Sequence, residues 1–256
     1  MSIVVCMTSW VKRINNVKPV VENVMKGTLQ PDRLYLSLSV SEFPNKELDI
    51  PKDLVEYFES DDRLIINWVE GENTKTMKKV FPVLQYLEDD DIIIPMDDDI
   101  MYPLEYIDKR VSEYNIHFQP ISGLTFENLK KHYMYKNYKI FCNLGGGCLF
   151  TKKMLNHWEE YVDDKILKSN NDDTCYAMLE WLNGYIPYTC KYNIYDDNTQ
   201  IYSKYIYNEI EPSGELQRYY NGYELVKLHY LRIYEITGKD YRRSFNFFNI
   251  QKHDNI

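Results

Sequence analysis

Ile92-Ile93-Ile94-Pro95-Met96-Asp97-Asp98-Asp99-Ile100-Met101-Tyr102-Pro103 joins the most apolar run of the chain to three consecutive carboxylates. A short run of β-branched residues reads as a strand buried on both faces, as at the centre of a parallel sheet. A strand of that kind needs helices on either side, so the fold class turns on what precedes it.

What precedes it alternates. Ile3–Met7 reads as a buried strand leaving through Thr8-Ser9. Asn15 and Asn16 are set to cap a helix with Val17, Val20, Val21 and Val24 on one side and Gly27 as its stop. Leu34–Leu38 is a second strand, Asp53–Glu59 a helix after Pro51, and Leu64–Trp68 a third strand. A helix is expected from about Thr76 to Leu87, with Pro82 as a local conflict. This order predicts an α/β fold with a mostly parallel sheet, whose ligands gather beyond the carboxyl ends of the strands.

After Pro103 the pattern changes. A helix is expected near Leu104–Tyr114, with short strands at Ile121–Leu124, Ile140–Leu144 and Cys148–Phe150. Helices follow from about Thr151, from Asp172-Asp173 to Asn183-Gly184, and over Gly222–Ile236. The second half reads as a small antiparallel addition completing one domain over 1–256.

The chain has 256 residues, enough for a sizeable core. Its formal net charge of -9 argues against broad nucleic-acid binding, which needs a surplus of Lys and Arg. Five cysteines without CxxC spacing suggest neither a zinc site nor a disulfide framework. The opening Ile3–Met7 is too short for a signal sequence, and no stretch approaches a membrane span. A cytoplasmic protein is expected, with peripheral attachment to the inner face of a membrane kept open.

The triplet is the first candidate site. Mg²⁺ and Mn²⁺ take oxygen ligands and commonly use one or two carboxylates plus substrate phosphates. In an extended segment residues i and i+2 point the same way, so Asp97 and Asp99 converge and Asp98 faces elsewhere. Acidic pairs occur elsewhere in the chain as solvated turns; the triplet differs by ending the buried strand. Asn73-Thr74-Lys75-Thr76-Met77-Lys78-Lys79 places lysines where they meet a diphosphate or simply solvate a helix face. Gly145-Gly146-Gly147 allows close backbone approach to a ligand, or a bulge at a strand start. Asp172 and Asp173 open a helix, where capping alone accounts for acidic residues.

Ile94–Pro103, with its Asp97-Asp98-Asp99, resembles the Asp-x-Asp segment of GT-A glycosyltransferases. Met7-Thr8-Ser9-Trp10-Val11-Lys12-Arg13-Ile14 and Gln30-Pro31-Asp32 are similar to bacterial members, family 2-like, that build surface polysaccharides. The resemblance implies a GT-A (Rossmann-like) sheet, with 1–103 binding a nucleotide-sugar and 104–256 forming the acceptor half and tail. It implies donor contacts from Thr8, Ser9, Arg13, Lys79, Asp97, Asp98 and Gly146. Mn²⁺ or Mg²⁺ would sit on Asp97, Asp99 and His229. Asp173, with Asp172 as the alternative, would be the base of an inverting transfer to a hydroxyl of a glycan or lipid-linked saccharide. The rival readings are a nucleotidyltransferase on a similar scaffold and a non-catalytic carbohydrate- or nucleotide-binding protein.

Overall fold

A computed structural model describes residues 1–123, 147–191, 204–205 and 222–238. Strands β1 (Ile3–Thr8), β2 (Arg33–Ser39), β3 (Leu64–Val69) and β4 (Ile92–Pro95) lie parallel in one sheet. Its order is β3-β2-β1-β4-β6, where β6 (Phe150–Thr151) runs antiparallel to β4. Val4 faces Arg33 on one side and Ile93 on the other, so β1 is the centre of the sheet. The order reverses at β1: β2 and β3 extend one way, and β4 the other.

Burial explains the strand sequences. Val4 to Met7 and Ile92 to Ile94 are fully buried, which is why both runs are continuously apolar rather than alternating. Helix α1 (Val17–Met25) turns Val17, Val20, Val21 and Val24 inward, and α2 (Lys52–Glu59) turns Leu54 and Phe58 inward. No side chain caps α1; a 3-10 turn at Ile14–Asn16 leads straight into it, so the expected Asn15/Asn16 cap is not made.

The helix expected over Thr76–Leu87 is instead two 3-10 turns, Lys75–Lys79 and Phe81–Tyr86. Pro82 has no N–H and constrains Phe81 before it, so one continuous helix cannot form. The short strand β5 (Ile100–Met101) pairs with β7 (Lys204–Tyr205). Helix α3 spans Tyr106–His117 and ends at Phe118, in the left-handed region at φ 52°. Ile121 makes only single bridges, to Leu149 and Tyr188. The strand expected at Ile140–Leu144 lies outside the described residues.

Beyond β6, a 3-10 turn at Lys152–Leu155 replaces the expected helix. Short helices α4 (Trp158–Tyr161) and α5 (Asp164–Leu167) follow. Helix α6 (Asp172–Leu182) packs against α7 (Gly222–Thr237). No helix among the described residues is long and apolar enough to cross a membrane.

Strands β4 and β6 part company before β4 ends. Pairing covers Ile92 and Ile93 only, and Pro95 has no N–H for a ladder. Its carbonyl instead accepts from Gly147 N at 2.7 Å. Gly147 has φ +95°, and a Cβ there would meet the Tyr106 hydroxyl at 2.0 Å, so only glycine fits. The Gly147 carbonyl accepts from Tyr106 Oη at 2.6 Å and from Arg110 Nε at 3.2 Å. Arg110, fully buried, is neutralised by Glu113 at 2.9 Å. Glu113 in turn accepts from Lys191 N at 2.8 Å. One buried guanidinium thus fixes α3, the end of β4 and the chain at Lys191 relative to each other.

Candidate active site at the sheet reversal

The loops that follow β1 and β4 meet where the strand order reverses, the place where open α/β sheets form a ligand crevice. A cleft of about 430 Å³ opens there. Thr8, Ser9 and Arg13 come from the β1 side, Lys78 and Lys79 from the 3-10 turn Lys75–Lys79, Asp97 and Asp98 from the β4 side, and Asn170 from the approach to α6.

The three aspartates are not equivalent. Asp98 is buried, accepting from Ser9 Oγ at 2.6 Å and from Arg13 at 3.1 Å. The same Arg13 nitrogen lies 2.9 Å from Asp99. Asp97 lies 2.7 Å from Lys79 Nζ, and its N–H donates to Tyr102 Oη at 2.8 Å. The expected alternation, with Asp97 and Asp99 converging and Asp98 apart, is altered locally: Asp99 is near enough to Asp97 to feel its charge, yet it also shares Arg13 with Asp98. The backbone turns at Asp98-Asp99, so the alternation of an extended chain does not apply. Asp98 and Asp99 share a cation, while Asp97 has its own.

Charge in the cluster is tightly balanced. Burial pushes the Asp98 carboxyl up, opposed by Arg13 and the Ser9 hydroxyl. Burial and the neighbouring Asp97 push Asp99 up to about 6, against the pull of Arg13. Burial disfavours the Lys79 ammonium, but Asp172 and Asp97 outweigh it and hold its pKa well above the usual lysine value. Lys79 also lies 3.3 Å from Asp172 Oδ2, so one buried cation joins the β4 loop to the start of α6. Burial pulls Lys78 down against the opposing Glu42, which lies 3.1 Å away.

The cap of α6 is Asn171, whose side chain accepts from Thr174 N at 3.3 Å. Asp172 and Asp173 are therefore first-turn residues, and neither carboxylate is the cap. Asp172 is buried with Lys79, and Asp173 is partly exposed.

Thr8 is committed locally, its hydroxyl donating to Ser37 O at 2.8 Å. His229 is fully buried on α7. Among the described residues, no group of three or more His, Cys, Asp or Glu side chains is gathered to hold a metal, so the set Asp97, Asp99 and His229 is not brought together as one cage. Gly146 lies outside the described residues.

Two wall residues carried no role in the sequence reading. Glu42 orients Lys78, and no local pattern points to it. Asn170 accepts from Thr76 N at 3.3 Å and closes the cleft from the α6 side. Its φ of 56° is a conformation Asn tolerates better than most residues, and Lys75 across the cleft has φ 54°. Non-glycine residues in that region cluster at ligand sites.

No protein-family model and no curated protein matches the chain. Solved structures do. Residues 1–349 of TarS from S. aureus in complex with UDP-GlcNAc match with TM-score 0.62 and 12% identity, over 94% of this chain and 68% of that one. The same segment in complex with UDP matches with TM-score 0.60, 12% identity and the same coverage. The mannosyltransferase PcManGT from Pyrobaculum calidifontis, in complex with GDP-Man and Mn²⁺, matches with TM-score 0.53 and 15% identity, over 73% of this chain and 54% of that one. With a sheet of this order and a cleft at its reversal, the chain has the fold of the GT-A glycosyltransferases.

Proposed function

We propose that the chain is a glycosyltransferase. It moves a sugar from a nucleotide-sugar to a hydroxyl of a glycan or lipid-linked saccharide, with inversion at the anomeric carbon. The carrying observation is the convergence of Arg13, Lys79, Asp97 and Asp98 in one cleft at the sheet reversal, with Asp99 joined to Arg13 behind them. Structures of the same fold hold UDP-GlcNAc, UDP and GDP-Man with Mn²⁺, which supports a nucleotide-sugar as donor. We further assign the reaction to surface polysaccharide synthesis in the cytoplasm, at or near the inner face of a membrane.

The donor set suits a hard divalent cation that completes its shell with phosphate oxygens and water. Asp97 and Asp99 each spend one carboxylate oxygen on Lys79 or Arg13, and burial together with nearby Asp97 makes the negative charge on Asp99 costly, a cost that a cation would offset. These two residues would hold Mn²⁺ or Mg²⁺, without requiring His229. When bound, such an ion supplies positive charge against the leaving diphosphate.

The chain's own groups do the rest. Arg13 and Lys79 present cations to the donor, and Ser9 and Arg13 hold Asp98 in place. Asp173 takes the proton from the acceptor hydroxyl as it attacks the anomeric carbon. Asp172 serves through Lys79, fixing the base-bearing helix to the donor loop.

A thermal-shift panel of nucleotide-sugars with and without Mn²⁺ tests the reading. A donor should raise the melting temperature when the ion is also present. Transfer that persists undiminished in the Asp173→Asn variant would sink the assignment of the base, and no shift across the panel would sink the donor.

A further inference from the structure

A second cleft of about 550 Å³ runs along the flank of the molecule, and nothing in the proposed transfer uses it. Its floor is aromatic: Trp158, half-buried, stacks on Phe81 with ring centroids 4.6 Å apart. Its rim carries the carboxylates Glu70, Glu72 and Glu159 and the amides of Gln85 and Asn156. The Lys152 ammonium, also on the lining, is already donating to Leu87 O at 2.5 Å. His157, beside Trp158, sits in the left-handed region at φ 60°, a conformation held at a cost.

The two clefts share a wall but differ in chemistry. Glu72 pairs with Lys168 at 3.0 Å, and Thr76 N donates to Asn170, so the loop after β3 is clasped to the segment before α6. Thr74 and Leu167 line the flank cleft, while Asn73, Lys75 and Asn170 line the site cleft. The site cleft mixes the cations Arg13, Lys75, Lys78 and Lys79 with the carboxylates Glu42, Asp97 and Asp98, as an anionic ligand carrying a metal ion requires. The flank cleft presents carboxylate and amide acceptors over an aromatic floor.

Carboxylates and amides accept hydrogen bonds from hydroxyl groups, and a flat ring packs against the C–H face of a pyranose. The volume lies in the range of small-molecule sites. Two of the rim carboxylates are already paired, Glu70 with Lys46 at 3.3 Å and Glu72 with Lys168 at 3.0 Å, so the rim offers little net charge to a phosphate or uronate and suits a neutral ligand. We propose that the flank cleft binds a neutral oligosaccharide, separately from the nucleotide. The shared wall would let one saccharide chain be held in the flank cleft while its end reaches the transfer site.

The test is binding, not transfer, so it stands or falls apart from the donor assignment. The whole chain is applied without nucleotide to an array of neutral, uronate-bearing and phosphorylated oligosaccharides, with polylysine as a cationic control. Neutral glycans should be retained, and titration of the best one should show a loss of tenfold or more in Trp158→Ala. The exposed pair Gln85→Ala with Glu159→Ala, which leaves the core intact, should lose about as much. Neither variant should change the thermal shift given by nucleotide with Mn²⁺. Retention of no neutral glycan, preference for acidic glycans or polylysine, or unchanged glycan affinity in the Gln85/Glu159 double variant would each overturn the proposal.

Discussion

Lys79 Nζ lies 2.7 Å from Asp97 Oδ1, inside the protein on the lysine side and a third exposed on the aspartate side. The same ammonium reaches Asp172, so removing it strands two carboxylates, one of them buried. Lys79→Met should cost about 2–3 kcal/mol, below the usual figure for a broken buried pair because Asp97 still meets water. Chemical denaturation measures it. Nucleotide-sugar affinity should fall in the same variant by tenfold or more.

Asp173→Asn and Asp172→Asn should separate cleanly. Loss of a general base typically removes 10² to 10⁴ in rate. Asp173→Asn should therefore lower kcat by about that factor and leave donor affinity near the parent value. Asp172→Asn should disturb Lys79, lowering both stability and donor affinity. Single-turnover kinetics beside a binding titration distinguish the two patterns.

Arg13 holds Asp98 and Asp99 with one nitrogen. Arg13→Gln keeps a polar side chain but removes the charge shared by two crowded carboxylates. Donor affinity should drop at least tenfold, and Arg13→Lys should restore only part of it, since an ammonium is a compact point charge on a different stem. Isothermal titration with UDP-sugars and Mn²⁺ reads both variants.

At the opposite end of the sheet, Asp91 offers a pH test free of the site. Burial pushes its carboxyl up, but the Ser2 and Glu88 amides and Arg33 outweigh that and leave it below the usual range. A lowered folded-state value means stability that is complete above the unfolded value of about 3.9 and lost as pH falls through the folded value. Asp91→Asn should cost about 1–3 kcal/mol at pH 7, and the difference should begin to narrow as pH falls below about 4. Urea melts across pH 3 to 7 check it.

Gly147→Ala should be among the most damaging single-methyl changes in the chain. The added carbon meets the Tyr106 hydroxyl, and φ +95° is hostile to an L side chain. A loss of roughly 2–4 kcal/mol is expected by denaturation, with expression yield falling alongside.

Much of the fold was legible because buried parallel strands write themselves as apolar runs. Ile3–Thr8, Arg33–Ser39, Leu64–Val69 and Ile92–Pro95 lie within a residue or two of the segments read from sequence. What failed was local geometry decided by single residues. Pro82 divides a periodic segment into two 3-10 turns, because the apolar spacing survives while the hydrogen-bond ladder does not. The turn at Asp98-Asp99 gives those two carboxylates one shared cation, and nothing in three identical residues announces a turn. Asn171 rather than an aspartate caps α6, since either residue type serves and only the backbone path chooses. Glu42 reaches Lys78 across the fold, a pairing no linear motif contains.

The Arg110 knot has an evolutionary reading. The seam it closes joins Ile121 to Leu149, and Gly147 to Pro95, Tyr106 and Arg110. Each group there matches its partner in size or charge, so Arg110, Glu113, Tyr106 and Gly147 can change only together. Such a set drifts as one unit or not at all, and the nucleotide cleft inherits its constancy from a cation it never touches.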